Sequence, residues 1–168
     1  MRTTVTIIAA ALALSACAKK PPKDLPPPPG NETSAVDAGA GAGAGVATPG
    51  SQADFVASVS ADRIFFETDS SDVGADDQPT LQSQAGWLAR WPAKRVTIEG
   101  HADERGTREY NIALGERRAN ATKNALAALG VDPARMSVIS YGKERPDATG
   151  SDEGAWARNR RAVTVTVE

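Results

Sequence analysis

Past Asp62 the apolar residues switch between two periods. Arg63 to Glu67, RIFFE, is a short apolar run that reads as a strand. Leu81, Ala85 and Leu88 then recur at helical spacing, with Asp77 placed to cap, Pro79 in the first turn and Trp91-Pro92 as the stop. KRVTIEGH alternates, with Val96 and Ile98 on one face and Thr97 and Glu99 on the other, the pattern of a second strand. Thr107 is placed to cap a helix that runs to Leu129 and ends at Gly130. MSVISYG predicts a third strand, and a short helical piece covers Glu153 to Arg158. In AVTVTV the alternation predicts Val163, Val165 and Val167 pointing inward. The order β-α-β-α-β-(α)-β implies an α/β (α+β) domain with helices packed on the sheet through right-handed crossovers.

The first 61 residues show no such pattern. Arg2 supplies a positive start, and Val5 to Leu14 form an apolar run too short to remain as a spanning helix. Small residues come next, Leu14-Ser15-Ala16, and then the chain's single cysteine, Cys17. This resembles a bacterial lipobox, which implies a lipoprotein signal over 1–16 and S-diacylglycerol and N-acyl groups on Cys17. Several acyl chains hold a protein firmly, at about 0.8 kcal/mol per buried methylene. Ala18, where lipoproteins retained at the inner membrane often carry Asp, implies the outer membrane. From 17 to 61 the chain is a lipidated N-terminus and a linker, with KKPPKDLPPPPG and then AGAGAGAG. It lacks the apolar content to offset the entropy of ordering and is expected to be a disordered tether. Extended, the segment between Cys17 and Asp62 reaches at most roughly 150 Å. The folded domain is expected over 62–168.

Composition narrows the function. A formal net charge of −2 gives no basic field for nucleic acid. One cysteine excludes an internal disulfide framework and any all-cysteine metal cage. His101 is the only histidine, and a zinc centre needs three or four ligands, so no metal, other cofactor or catalytic residue is expected. Trp87, Trp91 and Trp156 are read as packing residues.

The chemistry gathers in the two loops after the first two strands. If those strands run parallel, ETDSSD (Glu67 to Asp72) and HADERGT (His101 to Thr107) share the sheet edge where open α/β sheets bind ligands. On the helix after the second loop, Asn111 and Arg118 are seven residues apart and fall within about 20° of each other. Leu114 lies between them, while Arg117 points about 100° away. Asp103 thus faces a stripe of Asn111, Leu114 and Arg118. An acid opposed to an arginine suits a zwitterion, carboxylate to ligand ammonium and guanidinium fork to ligand carboxylate. Spacing alone leaves two alternatives open: Asp103 and Arg118 bridge each other, or both belong to a solvated charged face.

VTIEGHADERGTREYNIALGERRANATKNAL, with ISYGKERP and WARNRRAV after it, resembles the OmpA-like peptidoglycan-binding domain family. The resemblance runs from Ile64 to Val167, and the GHADERGT version of the motif, like the lipobox and tether, resembles its lipid-anchored members. The family pattern of an acid and glycine in a turn, an Asn-x-x-Leu and an Arg-Arg-Ala falls on Asp103, Gly106, Asn111, Leu114 and Arg117-Arg118-Ala119. The resemblance implies an OmpA-like fold with a mixed four-stranded sheet. It also implies noncovalent binding of meso-diaminopimelate in the peptidoglycan stem peptide, with Asp103 on the ammonium and Arg118 on the carboxylate. Asn111 and Leu114 line that site, and Thr68 and Asp69 close it from the first loop, which departs from the commonest family form at Glu67 and Thr68. Replacing Asp103 or Arg118 is expected to leave folding almost unchanged.

These readings together imply a non-enzymatic outer-membrane lipoprotein, its domain in the periplasm, tethering that membrane to the cell wall. TolB and other Tol-system proteins are the partners the resemblance implies. The rival is a peptidoglycan amidase or peptidase held at the same place. Against it, no Ser/His or Cys/His pairing, zinc triad or spaced pair of catalytic carboxylates stands out.

Overall fold

The structure, a computed structural model, describes residues 47–167. The expected export signal over 1–16, Cys17 and the expected tether as far as residue 46 lie outside the described residues. Among the described residues no helix is long and apolar enough to cross a membrane.

The elements run α1 (Gln52–Ser58), β1 (Arg63–Phe65), α2 (Gln78–Arg90), β2 (Arg95–His101), α3 (Arg108–Ala128), β3 (Met136–Gly142), α4 (Glu153–Asn159) and β4 (Arg161–Val167). The sheet order is β1-β4-β2-β3, with β4 antiparallel to both neighbours and β2 parallel to β3. The sheet is therefore mixed. β1 and β2 run in the same direction with β4 inserted between them, so their C-terminal ends do share one edge.

The helix ends obey local chemistry. Thr107 accepts from the Tyr110 N–H at 3.2 Å, the predicted cap of α3. At its far end Gly130, at φ 94°, lets the Val131 N–H turn back to the Leu126 carbonyl. Asp77 behaves otherwise: it ends a 3-10 turn, Ala75–Asp77, and its side chain makes no capping bond.

Two expectations are corrected. The fold begins before Asp62, because α1 buries Phe55 completely, edge-on to Trp87 at 5.0 Å. Asp54 on the same helix accepts from the Trp87 indole N–H at 3.0 Å, and Ser51 caps the helix. Of the β4 valines expected inward only Val163 is buried, and the face turned to the helices is the other one. Register pairs Ala162 with Ile64, Thr164 with Ile98 and Thr166 with Val96, so alanine and two threonines face the helices. Val167 is exposed instead. The buried threonines fit because glutamines on the helices meet them: Thr164 Oγ1 donates to Gln84 Oε1 and Thr166 Oγ1 to Gln52 Oε1, both at 2.9 Å.

Close backbone approach sets the height of α3 over the sheet. A Cβ on Gly100 would stand 1.8 Å from the Gly115 carbonyl oxygen, and one on Gly115 would stand 2.4 Å from Ser140 Oγ. Ser140 in turn donates to the Ile112 carbonyl at 2.7 Å.

His101 ends β2 and is buried, tilted against the Tyr141 ring at 5.6 Å. Neither ring nitrogen makes a hydrogen bond, and Nε2 stands 3.8 Å from the Glu99 carboxylate. Burial first, then the charge of Arg161, pushes its pKa down to about 4.

Phe55→Ala is expected to cost about 3–5 kcal/mol, read from urea midpoints; an unchanged midpoint would place α1 outside the fold. His101 is neutral when folded and protonates more readily when unfolded, so stability falls as pH drops from 6.5 toward about 4. His101→Gln should flatten that slope, and a variant with the wild-type slope would show that His101 does not carry it.

Candidate ligand-binding site

The loop after β2 folds into a cup. Gly106, at φ 85°, supplies a left-handed conformation just before the helix cap Thr107. Asn111 holds the loop from inside, its Nδ2 donating to the Arg105 carbonyl at 2.7 Å. Lys143 clips it from outside, with Nζ donating to the Glu104 and Gly106 carbonyls at 3.1 and 2.7 Å. Asp103 is thereby fixed at the base, 6% exposed.

The facing wall is the turn Glu67 to Ser70, closed by a Ser70 N–H to Glu67 carbonyl bond at 3.2 Å. Its third residue, Asp69, has φ 54°, the only positive φ outside glycine among the described residues. Between the two walls lies a cavity of about 230 Å³ lined by Thr68, Asp69, Asp103, Arg105, Gly106 and Tyr110. The Tyr110 hydroxyl reaches Asp69 Oδ1 at 3.5 Å. A larger cavity, about 520 Å³, opens between β1, the stretch from Asp72 to Asp77 and α4. It excludes Asp103, whereas the smaller one places that carboxylate in a space matched to the end of one amino acid.

The predicted residues divide into two groups. Asp103, Thr68 and Asp69 line the cavity. Asn111, Leu114 and Arg118 share a buried helix face, as the spacing predicted, but none of the three lines it. Arg117 points away and is exposed. Nor do Asp103 and Arg118 bridge each other. Arg118 is fully buried and donates through Nε to Ser70 at 2.8 Å, Nη1 to His101 at 2.9 Å and Nη2 to Glu67 at 3.0 Å, all backbone carbonyls. Burial lowers its pKa to about 10, against the pull of Asp103, so the charge remains. The expectation that Arg118 can be replaced with little effect on folding is therefore corrected: it ties the first loop to β2.

Asp103 pairs elsewhere. Arg105 reaches it with Nη2 at 2.6 Å and Nε at 3.1 Å, and Arg160 Nη1 stands 3.6 Å away. Burial raises the Asp103 pKa, but the Arg105 hydrogen bonds and charge outweigh it and the net shift is downward. Arg105 itself lies over the Trp156 ring at 4.2 Å. Sequence reasoning missed Arg105, Tyr110, Arg160 and Trp156 here; the Asp-x-Arg spacing was the one local signal for the first. His101 lies outside the cavity, and among the described residues no cluster of acids, histidine or cysteine has metal-site geometry.

The model of the OmpA family matches residues 65–160. The peptidoglycan-associated lipoprotein of Agrobacterium fabrum is 58% identical over 155 residues, covering 92% of this chain and 82% of its own. That of Brucella melitensis is 56% identical over 154 residues, covering 92% and 85%. Among solved structures, the peptidoglycan-associated lipoprotein of Burkholderia pseudomallei is 47% identical with a TM-score of 0.61, over 62% of this chain and 89% of that one. The C-terminal domain of Helicobacter pylori MotB, 22% identical with a TM-score of 0.59 over 64% and 84%, shares the fold alone. The relatives' names state a lipoprotein and an association with peptidoglycan. It belongs to the OmpA family, on the branch of the peptidoglycan-associated lipoproteins.

Proposed function

We propose that this chain is a lipid-anchored tether that joins the outer membrane to peptidoglycan by binding meso-diaminopimelate. Association with the cell wall is supported by the family and by the relatives' names. The ligand is supported by one observation above the others: an ionised, nearly buried Asp103 at the base of an amino-acid-sized cavity. Diaminopimelate ends in a carbon bearing both ammonium and carboxylate. Asp103 takes the ammonium. Thr68 and Asp69 form the opposite wall, and Arg118 holds that wall in place. Arg118 lies buried behind the cavity and keeps its charge, so it favours the ligand's carboxylate through its field while its three backbone bonds fix the wall. Asn111 and Leu114 support the site from the helix. Acyl groups on Cys17 anchor the chain in the outer membrane, and the domain faces the periplasm. By the same resemblance it works with TolB and other proteins of the Tol-Pal system, in envelope integrity and in outer-membrane constriction during cell division.

Sedimentation with sacculi tests the ligand. Wild-type chain should pellet with diaminopimelate-containing sacculi and not with sacculi carrying lysine there, which lacks the end carboxylate. Asp103→Ala should stay in the supernatant with its urea midpoint nearly unchanged. Arg118→Ala should also stay behind, but with stability lowered by about 3 kcal/mol or more, because buried carbonyls lose their donor. Equal binding to both wall types would rule out the zwitterion, and released muropeptides would point to hydrolysis instead. Fractionation tests the anchor: Cys17→Ser should leave an uncleaved or soluble form, and normal membrane attachment of that variant would exclude lipidation at Cys17.

A further inference from the structure

Within the cavity, the place facing Asp103 is taken by a side chain of the protein itself. The Arg105 guanidinium donates Nη2 to Asp103 Oδ2 at 2.6 Å and Nε to Oδ1 at 3.1 Å, and the same Nη2 stands 3.3 Å from Thr68 Oγ1. It therefore spans the cavity from one wall to the other. Its face rests on Trp156, whose indole N–H donates to Glu104 in the same loop at 3.1 Å. The two members of the ion pair differ in exposure, 39% for the Arg105 side chain against 8% for Asp103. Asp103 is fixed, while Arg105 has a path to solvent.

We propose that Arg105 is an internal competitor, its guanidinium holding the position on Asp103 that a ligand ammonium takes, so that binding requires Arg105 to leave. The inference rests on the reading of Asp103 as the ammonium site. A carboxylate offers about four lone-pair positions, and Arg105 fills three of them with Nη2, Nε and its backbone N–H. With Arg160 Nη1 already 3.6 Å from Oδ2, an ammonium entering beside the guanidinium would set three cations against one carboxylate. With the guanidinium withdrawn, the backbone N–H bond of Arg105 at 3.1 Å still aims Oδ1 into the cavity. The observed affinity is then the intrinsic affinity reduced by the fraction of chains with Arg105 withdrawn. Anything that draws Arg105 outward would raise affinity for the wall without touching the ligand.

The test is calorimetric titration of the full chain in mild detergent with a diaminopimelate-containing stem tripeptide, comparing wild type, Arg105→Gln and Asp103→Asn. Arg105→Gln should bind about fivefold more tightly, the loss of a partly exposed ion pair, while Asp103→Asn should not bind. Equal or weaker binding by Arg105→Gln overturns the competitor, weaker binding making Arg105 a ligand contact. Binding retained in Asp103→Asn overturns the site reading itself, a separate failure. The wild-type chain gives a readout that needs no variant. The Arg105 Nε–H resonance should shift at saturation with the tripeptide, and a resonance that stays in place also overturns the proposal.

Discussion

The buried guanidinium of Arg118 is the constraint on which the ligand edge of this fold depends. A charge removed from water is costly unless hydrogen bonds replace hydration, and here three backbone carbonyls do so. Two of them, Glu67 and Ser70, flank the turn that carries Asp69 in its left-handed conformation. The third, His101, belongs to the end of β2. A planar fork can satisfy carbonyls from two separate segments at once, whereas the compact ammonium of lysine cannot match that geometry. The first loop is short of apolar residues that would fix it by packing. Its position is instead dictated by a helix three elements further along the chain.

That helix is itself placed by backbone, not by bulky side chains. Gly100, Gly115 and Ser140 let α3 settle so close to β2 and β3 that no Cβ fits at either glycine. The approach brings Asn111 within reach of the Arg105 carbonyl and Arg118 within reach of the first loop. Both halves of the cavity are thus referred to one helix. Small displacements of α3 would misplace both walls together, which is why the site stands on a rigid element even though its lining residues sit on loops.

Much of this was legible in the sequence because periodicity and end chemistry agreed. Thr107 and Gly130 marked α3, and β3 fell on the predicted residues. β4 was misjudged because alternation fixes which residues share a face, not which face is buried. The choice was made by glutamines on α1 and α2, distant in sequence, that satisfy the threonines. The helix α1 was hidden by a single buried residue in a seven-residue element next to proline- and glycine-rich sequence. At the site, the helical stripe was read correctly, but its depth was not. Burial of Arg118 depends on the first loop folding over it, and nothing local to α3 announces that.

The arginines around Asp103 divide the work according to exposure. Arg118 and Arg160 are buried, and both spend hydrogen bonds on backbone carbonyls, so moving either would strand polar groups inside the protein. Arg105 is the partly exposed one, and water can replace what it gives up. Arg105 and Arg160 hold the Asp103 carboxyl below the usual carboxylate range, so it stays ionised at any pH near neutral. Protons are therefore poorly placed to switch this site. A competing cation on a partly exposed side chain acts on the same carboxylate without changing its charge.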